Sequence, residues 1–158
     1  MADVSIYVAL ITAGAAVVGA AIPQVAIVAR DVRQSERDRR ERRVESRRQA
    51  CLDLLRAVGE LRTQVANNAQ YHGNEMGARL ADVRKCAAAA ELNAVSVALL
   101  DPDKLAEPAE QLAAAASRLA AVAAESTNLS LGNMIHAPDF TELDETIVTF
   151  RRIAKDGG

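Results

Sequence analysis

Residues 44–65, VESRRQACLDLLRAVGELRTQV, place Val44, Cys51, Val58 and Val65 seven apart. Leu54 and Leu61 follow the middle pair at three residues, and Leu55 widens the stripe. This is the period of an α-helix with one apolar side turned toward a partner. The pattern changes at Tyr71, His72, Gly73 and Asn74, residue types that favour a turn. A second helix is expected to carry Met76, Leu80, Val83, Ala87, Ala90 and Ala94, continuing toward Val95, Leu99 and Leu100 until Asp101 and Pro102 stop it. A third begins near Asp101 to Pro108, where prolines fit a first turn, and buries Leu112, Ala115, Leu119 and Val122. The fourth has Asp139 placed to cap and Glu142 placed to reciprocate, with Leu143, Ile147, Phe150 and Ala154 on one side. Arg151, Arg152 and Lys155 suit the negative end of its dipole. The expectation is an all-α chain whose residues 49–156 form an alanine-rich, antiparallel bundle of about four helices.

Composition agrees with helices over sheets. Half the residues are hydrophobic but only 3% are aromatic, with no Trp. A core drawn from Ala, Leu and Val packs closely between helices and poorly in a sheet. Cys51 and Cys86 are too few for a disulfide framework and lack the neighbours zinc needs, so both are expected to be reduced, buried small hydrophobes.

Upstream, residues 6–29, IYVALITAGAAVVGAAIPQVAIVA, carry no charge. As a helix this run reaches about 36 Å, enough to cross a hydrocarbon core of about 30 Å with some tilt. It lacks a basic residue before it and is longer than the apolar part of a cleaved leader, so it is expected to remain as a single-pass transmembrane helix. Thr12, Ala15, Ala16, Gly19 and Ala20 recur at close-packing spacing and would let a second helix approach, giving self-association within the bilayer.

Residues 30–48, RDVRQSERDRRERRVESRR, hold nine arginines against five acids, while the chain beyond residue 48 holds ten basic against fifteen acidic residues. Interleaved charges at helical spacing describe a solvated helical stalk. By the positive-inside rule this block stays cytoplasmic, leaving residues 1–5 outside and the bundle in the cytoplasm at the cell membrane. Arg30, Arg33 and Arg37 are the residues expected against anionic lipid headgroups. Interleaved acids, an acidic remainder and few aromatics argue against nucleic acid.

The most varied polar patch, Asn67, Asn68, Gln70, Tyr71, His72 and Asn74, is the candidate surface for a cytoplasmic protein partner. His72 and His136 have no carboxylate or nucleophile at motif spacing. With no phosphate loop, nucleophile elbow or metal-binding motif, the chain reads as a non-enzyme without catalytic residues, cofactor or metal.

The runs AAIPQVAIVARDVRQ, QVANNAQYHGNEMGARLADVRK and LAEPAEQLAAAASRLAA resemble a group of short, uncharacterised, single-pass membrane-anchored proteins of GC-rich Gram-positive bacteria. The likeness covers nearly the whole chain and implies an anchor with no assigned activity. An anchor before a charged helix is also similar to the peripheral-stalk b subunit of rotary ATP synthases, but Gly73, Pro102, Pro108 and Pro138 interrupt the continuous helix that such a stalk needs. Two functions stand as expectations: a membrane-tethered interaction or scaffolding module, and a holin-like or toxin-like effector assembling through its transmembrane helix.

Overall fold

A computed structural model describes residues 3–69, 76–129 and 138–156, without the side chains of residues 3–32, 69, 76 and 126–129. Among the described residues there are four helices, α1 Asp3–Ala69, α2 Met76–Leu100, α3 Ala106–Leu129 and α4 Thr141–Asp156, and no strand. The protein is therefore all-α. The chain divides into two compact units, Met1–Arg42 and Arg43–Gly158, with the boundary inside α1.

In the first unit the side chains from Arg33 onward are exposed, as their interleaved charges demand. The expected span 6–29, with Thr12, Ala15, Ala16, Gly19 and Ala20, lies outside the residues whose side chains are described, as does Arg30. Among the residues whose side chains are described no stretch of helix is long and apolar enough to cross a membrane.

The second unit is a helical bundle. From α1 it buries Cys51, Leu54, Val58, Leu61 and Val65, the heptad stripe without its first member. Val44 is exposed because it precedes the first residues over which α1 has a neighbour to pack against. From α2 come Val83, Ala87, Ala90, Ala94 and Val97, from the turn before α3 Leu105, from α3 Ala109, Leu112, Ala115, Ala116 and Leu119, and from α4 Leu143 and Phe150. Large side chains such as Phe150, Leu54, Leu61 and Leu112 are fully buried, each worth roughly 1.5–3 kcal/mol of transfer free energy. The alanines let α2 approach α3 closely, and α3 in turn packs on α4.

Two side-chain bonds fix the direction of α2 against α1. Asn68 Nδ2 donates to the Arg79 carbonyl at 3.4 Å, and Asn93 Nδ2 donates to the Asp53 carbonyl at 3.1 Å. Descending α1 from 68 to 53 thus ascends α2 from 79 to 93, an antiparallel pairing.

The α2–α3 connection is a near-helical corner. Asp101 N–H donates to the Val97 carbonyl at 3.0 Å, Leu105 N–H to the Asp101 carbonyl at 3.1 Å, and Ala109 N–H to the Leu105 carbonyl at 3.0 Å. Pro102 closes α2 as expected, and Pro108 sits in the first turn of α3, where a missing N–H costs no helical bond. The Asp101 carboxylate also accepts the Lys104 N–H at 3.3 Å.

Candidate interaction surface

The polar patch expected at the end of α1 is only partly a surface. Asn67 is exposed, whereas Asn68 is buried, with 9% exposure, and spends its amide on Arg79 of α2. Asn68 is corrected from a partner-facing residue to an internal one. Its spacing gave the signal: it follows Leu61 by seven and Val65 by three, on the stripe that α1 turns inward. Gln70, Tyr71, His72 and Asn74 lie outside the described residues, as does His136. Arg33 and Arg37 are exposed on the first unit.

A second correction concerns α2. The sequence reading carried its buried side on to Val95, Leu99 and Leu100, but all three are exposed and Val97 is buried in their place. Successive buried positions Val83, Ala87, Ala90, Ala94 and Val97 step by four, three, four and three, one strict helical stripe. Leu92, Val95 and Leu99 share the opposite side, exposed at 68%, 56% and 79%. Asn93 reaches toward α1 on one flank, and Glu91 accepts a bond from Ser117 Oγ of α3 at 2.6 Å on the other. The apolar strip therefore points away from both neighbours. Val122 of α3, expected in the core, is likewise exposed at 55%.

Charged residues ring this strip unevenly. Asp82, Arg84 and Lys85 are exposed toward the N-terminal end of α2, and Asp103 and Lys104 are exposed just beyond its C-terminal end. Elsewhere on the unit, cations and acids meet across helices: Arg62 with Asp144 at 3.0 Å, Arg118 with Glu142, and Arg47 with Asp101 at 3.0 Å. The Arg62 guanidinium also stands 5.1 Å from the centre of the Phe140 ring.

Neither cysteine is disulfide-bonded. Burial pushes the Cys51 thiol above its ordinary range, opposed by Arg47 and assisted by Asp101. Cys86 is half-buried rather than buried, and its thiol is also raised, first by desolvation and then by Glu60 and Asp82, against Lys85. A raised thiol has less thiolate at neutral pH, so neither is placed as a nucleophile. Among the described residues no group of three His, Cys, Asp or Glu is gathered closely enough to hold a metal ion.

The sequence matches no family model, and no curated protein or solved structure is significantly similar to it. Function is therefore argued from the surface itself.

Proposed function

We propose that this chain is a membrane-tethered interaction module: residues 6–29 span the cell membrane once, residues 30–48 form the helical stalk, and the antiparallel bundle recruits protein in the cytoplasm. The observation that carries the recruitment half is the outward side of α2, where Leu92, Val95 and Leu99 stand in water with no internal partner. Isolated exposed leucines need no explanation, but three at one helical face form a continuous strip of the kind that interaction sites use. The tether half is supported by the uncharged run and the arginine-rich block that follows it, the charge order that leaves the bulk of a chain in the cytoplasm. Arg30, Arg33 and Arg37 then meet anionic headgroups.

The test uses the full chain in its membrane. Alkaline carbonate extraction should leave it in the pellet, and a photo-crosslinker at Val95 should give a discrete protein adduct that Leu92→Glu removes. A soluble, monodisperse full chain without detergent would overturn the tether. Unchanged adducts in the Leu92→Glu variant would overturn recruitment by this side of α2. A membrane-lesion function would instead announce itself as lost membrane potential on expression, relieved by Gly19→Ile.

A further inference from the structure

The side of α1 that faces the bundle nearly superposes on itself after seven residues. Cys51, Val58 and Val65 occupy one line, Leu54 and Leu61 a second, and Ala50 and Ala57 a third. An apolar stripe of this period packs about equally well after a slide of one heptad, about 10 Å along a helix, so burial by itself does not choose a position for the rest of the bundle. The contacts along α1 nevertheless describe a single one. Arg47 meets Asp101 at 3.0 Å, Asn93 reaches the Asp53 carbonyl at 3.1 Å, Glu60 stands near enough to Cys86 to push its thiol up, and Asn68 reaches the Arg79 carbonyl at 3.4 Å. Numbers rise along α1 as they fall along its partner at the same pace, one register from end to end. The amide bonds alone do not select it, because a backbone carbonyl stands at every position and Asn93 would find one at residue 46 as readily as at 53.

We propose that Arg47 and Asn68 are register stops, polar residues at the two ends of the stripe that exclude both one-heptad slides of the bundle along α1. A slide toward the start of α1 puts Val44 where Cys51 stands and Arg47 where Leu54 stands. Leu54 is fully buried, so the guanidinium would lose both water and its partner Asp101. The opposite slide puts Asn68 where Leu61 stands, also fully buried, and strands its amide among apolar side chains. Other members of the stripe find equivalents: in the first slide Val58 takes the place of Val65, Leu54 that of Leu61, and Ala50 that of Ala57. The stop at residue 47 is what keeps Val44, exposed at 64%, out of the core.

Chain connectivity does not forbid the slide. Residues 70–75 with their flanking bonds span about 20 Å when fully extended, more than a heptad's displacement and the roughly 8–10 Å between packed helix axes require together. The stops therefore decide what the bundle presents: after the first slide Val65 and Asn68 would leave the core and Val44 would enter it. The proposal stands on the packing of α1 and is independent of recruitment and of where residues 6–29 sit.

The test is crosslinking within the full chain in mild detergent, in a Cys51→Val background that makes the stripe uniform and leaves Cys86 as the reporter. Glu60→Cys reports the register of the structure, and Asp53→Cys, seven residues earlier, reports the slid one. A bifunctional maleimide with a reach shorter than the slide should join 60 to 86 and leave 53 and 86 unjoined, read by peptide mass from the monomer. Arg47→Leu should raise the 53–86 product at least tenfold. Arg47→Ala breaks the same ion pair but would leave a void in the place of Leu54 after a slide, so it should not raise that product. Arg47→Lys should behave as the parent. No rise in Arg47→Leu, or an equal rise in Arg47→Ala, would overturn the proposal, the second because loss of the ion pair would then suffice. Arg47→Met carries the same expectation should Arg47→Leu lose helicity. Loss of helicity in both would overturn it too, because each register should accept an apolar residue at position 47.

Discussion

Arg47 Nη1 and Asp101 Oδ2 lie 3.0 Å apart, with their side chains only 22% and 13% exposed. Arg47 belongs to the arginine-rich block and Asp101 to the end of α2, so this pair ties α1 to the α2–α3 corner. The other Asp101 oxygen accepts the Lys104 N–H, which makes one carboxylate serve both the ion pair and the turn. Partial burial weakens solvent screening, and removing one partner strands the other.

Arg47→Ala is accordingly expected to cost about 1–3 kcal/mol in urea unfolding, and Asp101→Ala the same or more because it also releases the turn. A double-mutant cycle should give a coupling of at least about 0.5 kcal/mol. Arg62 and Asp144, 49% and 47% exposed, form the comparison and should couple by at most about 1 kcal/mol, weaker than the Arg47 cycle. Equal couplings would mean that the corner pair is an ordinary surface contact.

The two thiols should be slow toward alkylating reagents at neutral pH, because both are held in the neutral form by desolvation. Cys86 should react first, being half-buried, and Cys51 only through opening of the bundle. Arg47→Ala removes the charge that favours the Cys51 thiolate, so that thiol should move further up and slow more. The linked effect on stability has a definite sign. A thiol raised in the folded state stabilises it below the ordinary thiol range, about pH 8.5, and that contribution is lost as pH rises toward the folded value. Unfolding midpoints measured from pH 7 to 10 should fall, and Cys51→Ala should flatten the fall.

At the start of α4 the cap stands where the pattern of residues predicts it, with half of the expected mechanism. Asp139 Oδ1 accepts the Thr141 N–H at 2.9 Å, and bonds from the Thr141 side chain and N–H hold its carboxyl below the ordinary range. Glu142, expected to reach back, is instead paired with Arg118 of α3, because a cation across the helix interface competes better than a backbone donor already near water. Asp139→Ala should lower the midpoint of thermal unfolding at pH 7. The depressed carboxyl stabilises the fold above the ordinary carboxylate range, near pH 4, and loses that effect as pH falls toward the folded value. The difference between wild type and Asp139→Ala should therefore shrink in acid. A difference unchanged down to pH 2 would rule out the charged cap as its origin.

The same contrast explains what was legible elsewhere. The limits of α2 could be read because Asp101 and Pro102 are local signals that need no tertiary context. Most of its buried side could be read too, since Val83, Ala87, Ala90 and Ala94 stand in the core as their spacing predicts, and only its continuation to Val95, Leu99 and Leu100 fails, because the strict helical stripe passes through Val97 instead. The polarity of Asn68 suggests a surface residue, but its helical position beside Leu61 and Val65 buries it. For the candidate partner surface, sequence identified residue types suited to loops and could not locate the exposed strip of α2, which exists only once the core has taken the other side.

Gly59 offers a test of α1 that touches no contact. It is exposed in mid-helix, and a methyl group added there meets nothing within 4 Å. Glycine in a helix interior gives up more backbone freedom than alanine by roughly 0.5–1 kcal/mol. Gly59→Ala should raise stability by about that amount in urea unfolding, with the slope of the transition unchanged. A loss of stability would mean that α1 is not helical at this point in solution.

Phe150 and Ala90 test the core from opposite directions. Phe150 is fully buried on α4 and is the largest fully buried side chain among the described residues, so truncation leaves a void. Phe150→Ala should cost about 3–5 kcal/mol. Ala90 is also fully buried, on the α2 side that meets the core, and a larger residue there has to push helices apart. Ala90→Leu should cost about 1–3 kcal/mol despite adding apolar surface, whereas Leu99→Ala on the exposed side of the same helix should change monomer stability by less than about 0.5 kcal/mol. The ordering of these three variants separates a core set by alanine packing from one set by hydrophobicity alone. If Ala90→Leu stabilised the protein and Leu99→Ala destabilised it, the buried and exposed sides of α2 would have to be exchanged, and with them the surface proposed for recruitment.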